Sequence, residues 1–249
     1  MQETAPRSST VDPQEVDKFS ALVDRWWDPD GPMRPLHRLA PCRLGWLRDQ
    51  ATRHFRRSAT ARAPLAGLEA LDVGCGAGLV AEPLARLGAQ VTGIDPAADA
   101  IAAAARHAER VGLPITYRTA TTADLLAEGR RFDLVTALEV IEHVAEPETL
   151  VADLAQLVRP GGLVVLSTLS RTWQAWLLGI VGAEYLLGWL PPGTHNWRRF
   201  VSPADLTRML RQHGLRAVGL TGIAYDPAQD SFRTVRDTSV NYMLAATRD

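Results

Sequence analysis

Hydrophobic residues change their spacing part-way along the chain. Near the N-terminus, Val16, Phe19, Leu22, Val23, Trp26 and Trp27 recur at the interval that lines one face of a helix. Asp12-Pro13-Gln14-Glu15 supplies its start, with an Asp N-cap, Pro at the first helical position and Glu at the third. Asp28-Pro29-Asp30-Gly31-Pro32 breaks it. A second helix is expected from about Pro41 to His54, so residues 13–66 read as a helical cap able to cover a ligand cleft. Residues 1–12 read as a disordered tail.

From Leu68 onward, short apolar runs alternate with amphipathic stretches, the pattern of βαβ units. Strands are expected at 71–73, 90–94, 115–118, 132–137 and 163–168. Helices are expected at 79–87, 98–112 and 147–158, and Arg159-Pro160-Gly161-Gly162 reads as a turn. Ser202-Pro203-Ala204-Asp205 starts another capped helix, ending near His213-Gly214. Residues 215–225 and 239–247 form a final strand pair. The expected fold is α/β: a Rossmann-like doubly wound sheet in one domain, residues 13–249, mostly parallel.

Residues 170–200 stand out as an insertion after the fifth strand. Trp173 to Leu190 is largely apolar, but it holds Gln174, Glu184 and several glycines and stops at Pro191-Pro192. A spanning helix needs about 20 apolar residues free of such interruptions. Trp173, Trp176, Trp189 and Trp197, flanked by Arg171, Arg198 and Arg199, suit an interfacial contact with anionic lipid; the plain alternative is a buried lid.

Composition narrows the function classes. A hydrophobic share of 46% with 22% charged residues is that of a globular domain. A net charge of −1 gives no basic field for nucleic acid. Arg53, Arg56, Arg57 and Arg62 form a local basic cluster, read first as a solvated helix end and second as a lipid-headgroup contact. Two cysteines, Cys42 and Cys75, without a CxxC pair, fit a reducing cytoplasm.

The candidate chemistry begins at Gly74-Cys75-Gly76-Ala77-Gly78, a GxGxG loop between a strand and a helix. Glycine lets backbone approach a ligand, and the helix N-terminus beyond offers unpaired N–H groups. Leu79 stands where a nicotinamide-binding GxGxxG loop carries its third glycine, which disfavours a dehydrogenase. Asp72 before the loop, and Asp95 at the tip of the next strand, suit an amino acid carrying adenosine. An acid at position 95 can bond both ribose hydroxyls; its bland role is a helix N-cap before Pro96.

LDVGCGAG, VTGIDP, FDLVTALEVIEHV and LVRPGGLVVLSTL, in that order, resemble the class I S-adenosylmethionine methyltransferases. RWWD with PLHRLAPCRLGWL, the block after LSTL, PPGTHNWRRFVSP and SVNYML narrow the resemblance to the bacterial ubiquinone-biosynthesis O-methyltransferases. The resemblance implies S-adenosyl-L-methionine as cofactor and a reversed last strand. It implies methylation of a polyprenyl catechol (2-polyprenyl-6-hydroxyphenol) and of 3-demethylubiquinol. It also implies peripheral attachment to the inner membrane, contact with anionic lipids, and a place beside other ubiquinone-biosynthesis proteins. Carried over residue by residue, Arg43, Gly74, Asp95 and Leu138 become cofactor contacts, with Asp72, Gly76 and Gly78 completing the loop. Arg43 suits the cofactor carboxylate, and Leu138 a main-chain or apolar contact with adenine.

A phenol ionises at a pKa of about 10, so a base or a metal helps it react near neutrality. Glu139, Glu142 and His143 follow the fourth strand at spacing that shares one face of a helical turn. Such a set can hold a divalent cation such as magnesium, to which a catechol adds two oxygens; metal-dependent eukaryotic relatives favour this in part. The alternative is that Glu142 and His143 line the pocket and act without metal, His143 being the first choice of base. His195 is a weaker candidate. The remaining alternatives are an O-methyltransferase on another phenol or a lipid, and a non-catalytic cofactor-binding or membrane-docking module.

Overall fold

A computed structural model describes residues 26–28, 30–31, 33–172 and 199–249. The expected first helix and the 173–198 part of the insertion, with His195, lie outside the described residues. Helices are α1 Arg34–His54, α2 Ala81–Arg86, α3 Ala98–Arg110, α4 Thr122–Ala127, α5 Pro147–Leu157 and α6 Pro203–Gln212. Strands are β1 Glu69–Val73, β2 Gln90–Asp95, β3 Thr116–Thr119, β4 Phe132–Leu138, β5 Val158–Leu169, β6 Leu215–Asp226, β7 Ser231–Val235 and β8 Asn241–Arg248.

The strands form one sheet in the order β3-β2-β1-β4-β5-β8-β6-β7. The first five are parallel. β8 inserts antiparallel between β5 and β6, with Leu163 opposite Thr247 and Leu169 opposite Asn241. The order reverses between β1 and β4, which opens a crevice at their carboxyl ends, where ligands bind in such sheets. One face packs under α1 and α2 through Leu39, Leu47, Leu84, Leu138, Val165 and Met243. The other packs under α4, α5 and α6 through Leu125, Leu154, Leu166, Leu206 and Leu244.

Several boundaries depart from expectation. α1 begins at Arg34, and Pro41 lies inside it. Trp26 and Trp27 sit in a turn, not on a continuing helical face. The 159–162 turn is a bulge inside β5: pairing with β4 jumps from Phe132–Val158 to Leu134–Leu163. α4, a helix that the apolar periodicity does not predict, starts at a reciprocal cap of Thr121 with Asp124 in a T-x-x-D spacing. β7 forms a hairpin with β6 at the sheet edge and is half-exposed, so its apolar signal is weak. His54 Nε2 lies 2.8 Å from the Gly161 carbonyl, at the edge of the sheet opposite the glycine loop. The nearby basic cluster is therefore remote from the crevice, which fits a solvated helix end.

Candidate active site

The glycine loop leaves β1 with φ of +66° at Gly74, +51° at Gly76 and +95° at Gly78, all left-handed. A side chain is excluded by space as well as by strain. A Cβ on Gly74 would stand 2.6 Å from Val140, and one on Gly76 would stand 2.6 Å from the Trp26 ring. Asp95 ties the loop to α3: Oδ2 accepts from Gly76 N–H at 3.0 Å and Oδ1 from Ala97 N–H at 2.9 Å. Asp95 thus closes a short turn ahead of α3, whose own N-cap is Ala97 and carries no side-chain cap. Burial raises the Asp95 pKa against those two bonds.

Asp72 lies beneath the loop, buried, with Oδ1 accepting from the Thr136 hydroxyl at 2.7 Å. Burial pushes its carboxyl from 3.8 up to about 7, and the charge of Asp95 adds to the rise. A carboxylate so raised favours the fold fully below its ordinary range, and that contribution is lost as pH climbs through about 7. Asp72→Asn keeps an oxygen for Thr136 and removes the charge. Its stability relative to wild type is expected to grow between pH 5 and 8, toward a ceiling of about 4 kcal/mol. Urea unfolding at several pH values reads this, and parallel profiles for the two proteins would defeat it.

Arg43, on α1, reaches into the crevice. It is 6% exposed, and a terminal nitrogen stands 3.2 Å from Glu139 Oε1. Its Nε has no hydrogen-bond partner. A buried guanidinium with donors left over is costly unless an anion completes it. That fits the carboxylate of an amino-acid cofactor.

Glu139 adopts φ +58°, a left-handed conformation rare outside glycine. Ser167 donates to its Oε1 at 2.8 Å and Asn241 at 3.3 Å. Glu142 is 3% exposed; Thr168 donates to Oε2 at 2.8 Å, and Oε1 has no hydrogen-bond partner. Burial, then the charge of Glu139, raise the Glu142 pKa to about 7, against the lowering effect of His143. Ser167 and Thr168 are successive on β5 and point to opposite faces of the sheet. Glu139 thus sits on the α1 face and Glu142 on the α5–α6 face.

The shared helical face expected for Glu139, Glu142 and His143 is not formed, because residues 139–145 are a turn rather than a helix. Among the described residues no group of three His, Cys, Asp or Glu side chains is placed to hold a metal ion. With Glu139 engaged by Arg43, Ser167 and Asn241, the donor set does not fit a divalent cation in this arrangement. His143 is half-buried beside Glu142, its N–H donating to Val140 O at 2.9 Å. Leu138 ends β4, paired with Ser167 of β5, with its side chain packed in the core on the α1 face. Sequence reasoning missed Ser167, Thr168 and Asn241, whose role depends on which face of the sheet they meet.

A methyltransferase-domain family model matches residues 45–220. The ubiquinone biosynthesis O-methyltransferase of a Methylobacterium species is 49% identical over 245 residues, covering 98% of each chain. The chain belongs to the ubiquinone biosynthesis O-methyltransferase family. The Methylocella silvestris member is 51% identical over 245 residues, 96% of each chain. Among solved structures, magnesium protoporphyrin IX methyltransferase from Synechocystis with bound SAM aligns with TM-score 0.61 at 19% identity, over 97% of this chain and 100% of that one. A methyltransferase from Clostridium acetobutylicum aligns with TM-score 0.62 at 12% identity, covering 93% and 98%. These two speak to the fold: a class I methyltransferase sheet with a reversed C-terminal strand. The near 50% identity speaks to the family, because it extends through the outer segments as well as the core.

Proposed function

We propose that this chain transfers methyl groups from S-adenosyl-L-methionine to a hydroxyl of a polyprenyl catechol and of 3-demethylubiquinol, at the membrane surface. The observation that carries this reading is identity near 50% over 98% of the chain, including the segments outside the glycine-loop core. The cofactor supplies an electrophilic methyl group on a sulfonium. Gly74, Gly76 and Gly78 bring backbone against it, Asp95 faces the ribose hydroxyls, and Arg43 holds the carboxylate. Leu138 offers its main chain to the adenine, and Asp72 supports the loop from below.

Displacement at the methyl requires the nucleophilic oxygen in line with the leaving sulfur, so positioning supplies much of the acceleration. His143 takes the phenolic proton. The fully buried Glu142 stands behind it and stabilises the imidazolium that forms, as an oriented carboxylate does in other His-dependent sites.

Among the described residues no helix is long and apolar enough to cross a membrane. Contact with anionic lipid, and any partnership with other ubiquinone-biosynthesis proteins on the inner membrane, belongs to this proposal. One assay tests it: purified protein, methyl-labelled cofactor, and a polyprenyl catechol or demethylated quinol carried in anionic vesicles that are then sedimented. Label is expected in both acceptors, with protein in the vesicle pellet. Label in a simple phenol or a lipid instead would move the substrate assignment. Protein left wholly in the supernatant would remove the membrane part. Calorimetry that shows NAD binding and no S-adenosylmethionine binding would overturn the cofactor assignment.

A further inference from the structure

A second constellation stands outside the residues assigned so far. Trp27 stacks flat on His107 of α3, ring centroids 3.7 Å apart and planes within 4°. His107 Nδ1 bonds the carboxylate of Glu82, which is only 2% exposed on α2, and Arg86 stands 3.5 Å from the same carboxylate. A buried carboxylate is expensive unless paired, and His107 and Arg86 supply the pairing here. Both ends of this chain of contacts return to the glycine loop. Trp27 Nε1 donates to the Ala77 carbonyl at 3.0 Å, and Glu82 N–H donates to the Gly78 carbonyl at 3.0 Å. Beside them, Trp26 fills the space that Gly76 leaves open, and His37 Nε2 lies 2.8 Å from the Trp26 carbonyl.

We infer that Trp27, His107 and Glu82 are positioning residues for cofactor retention: together they hold the Ala77 carbonyl and fasten Trp27 and its segment over the loop. The inference rests on the cofactor site proposed above. The side-chain contacts run from the loop to Trp27 to His107 to Glu82, on the helix that follows the loop, and join three segments far apart in sequence. Trp26 is held separately, buried against Ala97, Ala100 and Ala103 with its carbonyl at His37, so breaking the stack loosens the Trp27 side of the segment from the loop. The chemical step lies at the tips of β4 and β5, where none of the three side chains reaches. Their loss therefore weakens cofactor binding and speeds its release while the transfer step is preserved.

The test uses the full chain with S-adenosylhomocysteine. Trp27→Ala removes the stack and the Ala77 bond; Trp27→Phe keeps a ring but removes the bond; His107→Gln keeps a donor for Glu82 but removes the stack. A lost stack with a lost hydrogen bond predicts roughly 10–50-fold weaker binding for Trp27→Ala and a smaller loss for the other two. The KM for S-adenosylmethionine rises in parallel while kcat at saturation stays within about twofold, the signature of lost uniform binding. Melting of the cofactor-free variants shows whether they fold, and the two conservative variants carry the test where Trp27→Ala does not. Unchanged affinity in folded variants overturns the inference. So does a fall in kcat with KM unmoved. Wild-type protein that itself fails to bind S-adenosylhomocysteine overturns the cofactor reading first, and this inference with it.

Discussion

Replacing His143 with alanine is expected to lower kcat about 10²–10⁴-fold, the range set by losing a positioned general base. Affinity for S-adenosylhomocysteine is expected to stay at its wild-type value. The proposed base, His143, is half-buried beyond the strand tip, whereas its neighbour Glu142 is closed off and bonded to Thr168. A residue that only lined the pocket would, on removal, change the KM for the phenolic acceptor without such a fall in kcat. Two further readouts separate the roles. Free imidazole restores part of the His143→Ala rate if the side chain moves a proton. The effects of Glu142→Gln and His143→Ala are non-additive if the two act as one unit. Additive losses with no imidazole rescue would remove the base assignment and leave the cofactor site intact.

Arg43→Ala is expected to raise the KM for S-adenosylmethionine roughly 10–150-fold, the worth of a charged hydrogen bond lost from a water-excluded site. It also strips Glu139 of its cation. A fully buried pair broken on one side costs about 3–5 kcal/mol; Glu139 is 17% exposed and keeps Ser167 and Asn241, so the cost falls below that range. Arg43→Lys keeps the charge but loses the planar fork, and recovers stability better than affinity. Arg43→Ala combined with Glu139→Gln separates the two effects, since the double variant regains stability while cofactor binding stays weak. Wild-type KM in Arg43→Ala would show that the cofactor carboxylate is held elsewhere.

Glu142 and Asp72 share a physical trait: each is a carboxyl group closed off from water and raised to about 7. Sites that hold such groups give up stability for what the charge does there. The two differ in what they face. Asp72 faces the Thr136 hydroxyl and the Ala81 backbone, while Glu142 sits beside the imidazole proposed to take the proton.

The sequence alone determined the local units of this protein. Alternation of apolar runs with amphipathic stretches marked the parallel strands and their crossover helices. The glycines at 74, 76 and 78 marked a loop where the backbone turns left-handed, and Asp95 marked the neighbouring strand tip. Those features follow from spacing within a few residues, which is where propensity, turn chemistry and periodicity act. The tertiary structure decided which side chains meet. Glu139 and Glu142 read as neighbours on a helical turn, yet the left-handed residue at Glu139 sends one to Arg43 and the other across the sheet to Thr168. Trp27 reads as part of an apolar helix face and no local pattern singles out Glu82 or His107, until chain crossovers bring the three together beside the loop. Adjacent strand residues point to opposite faces, and the pairing order of strands is a long-range property, so no local pattern in the chain encodes those encounters.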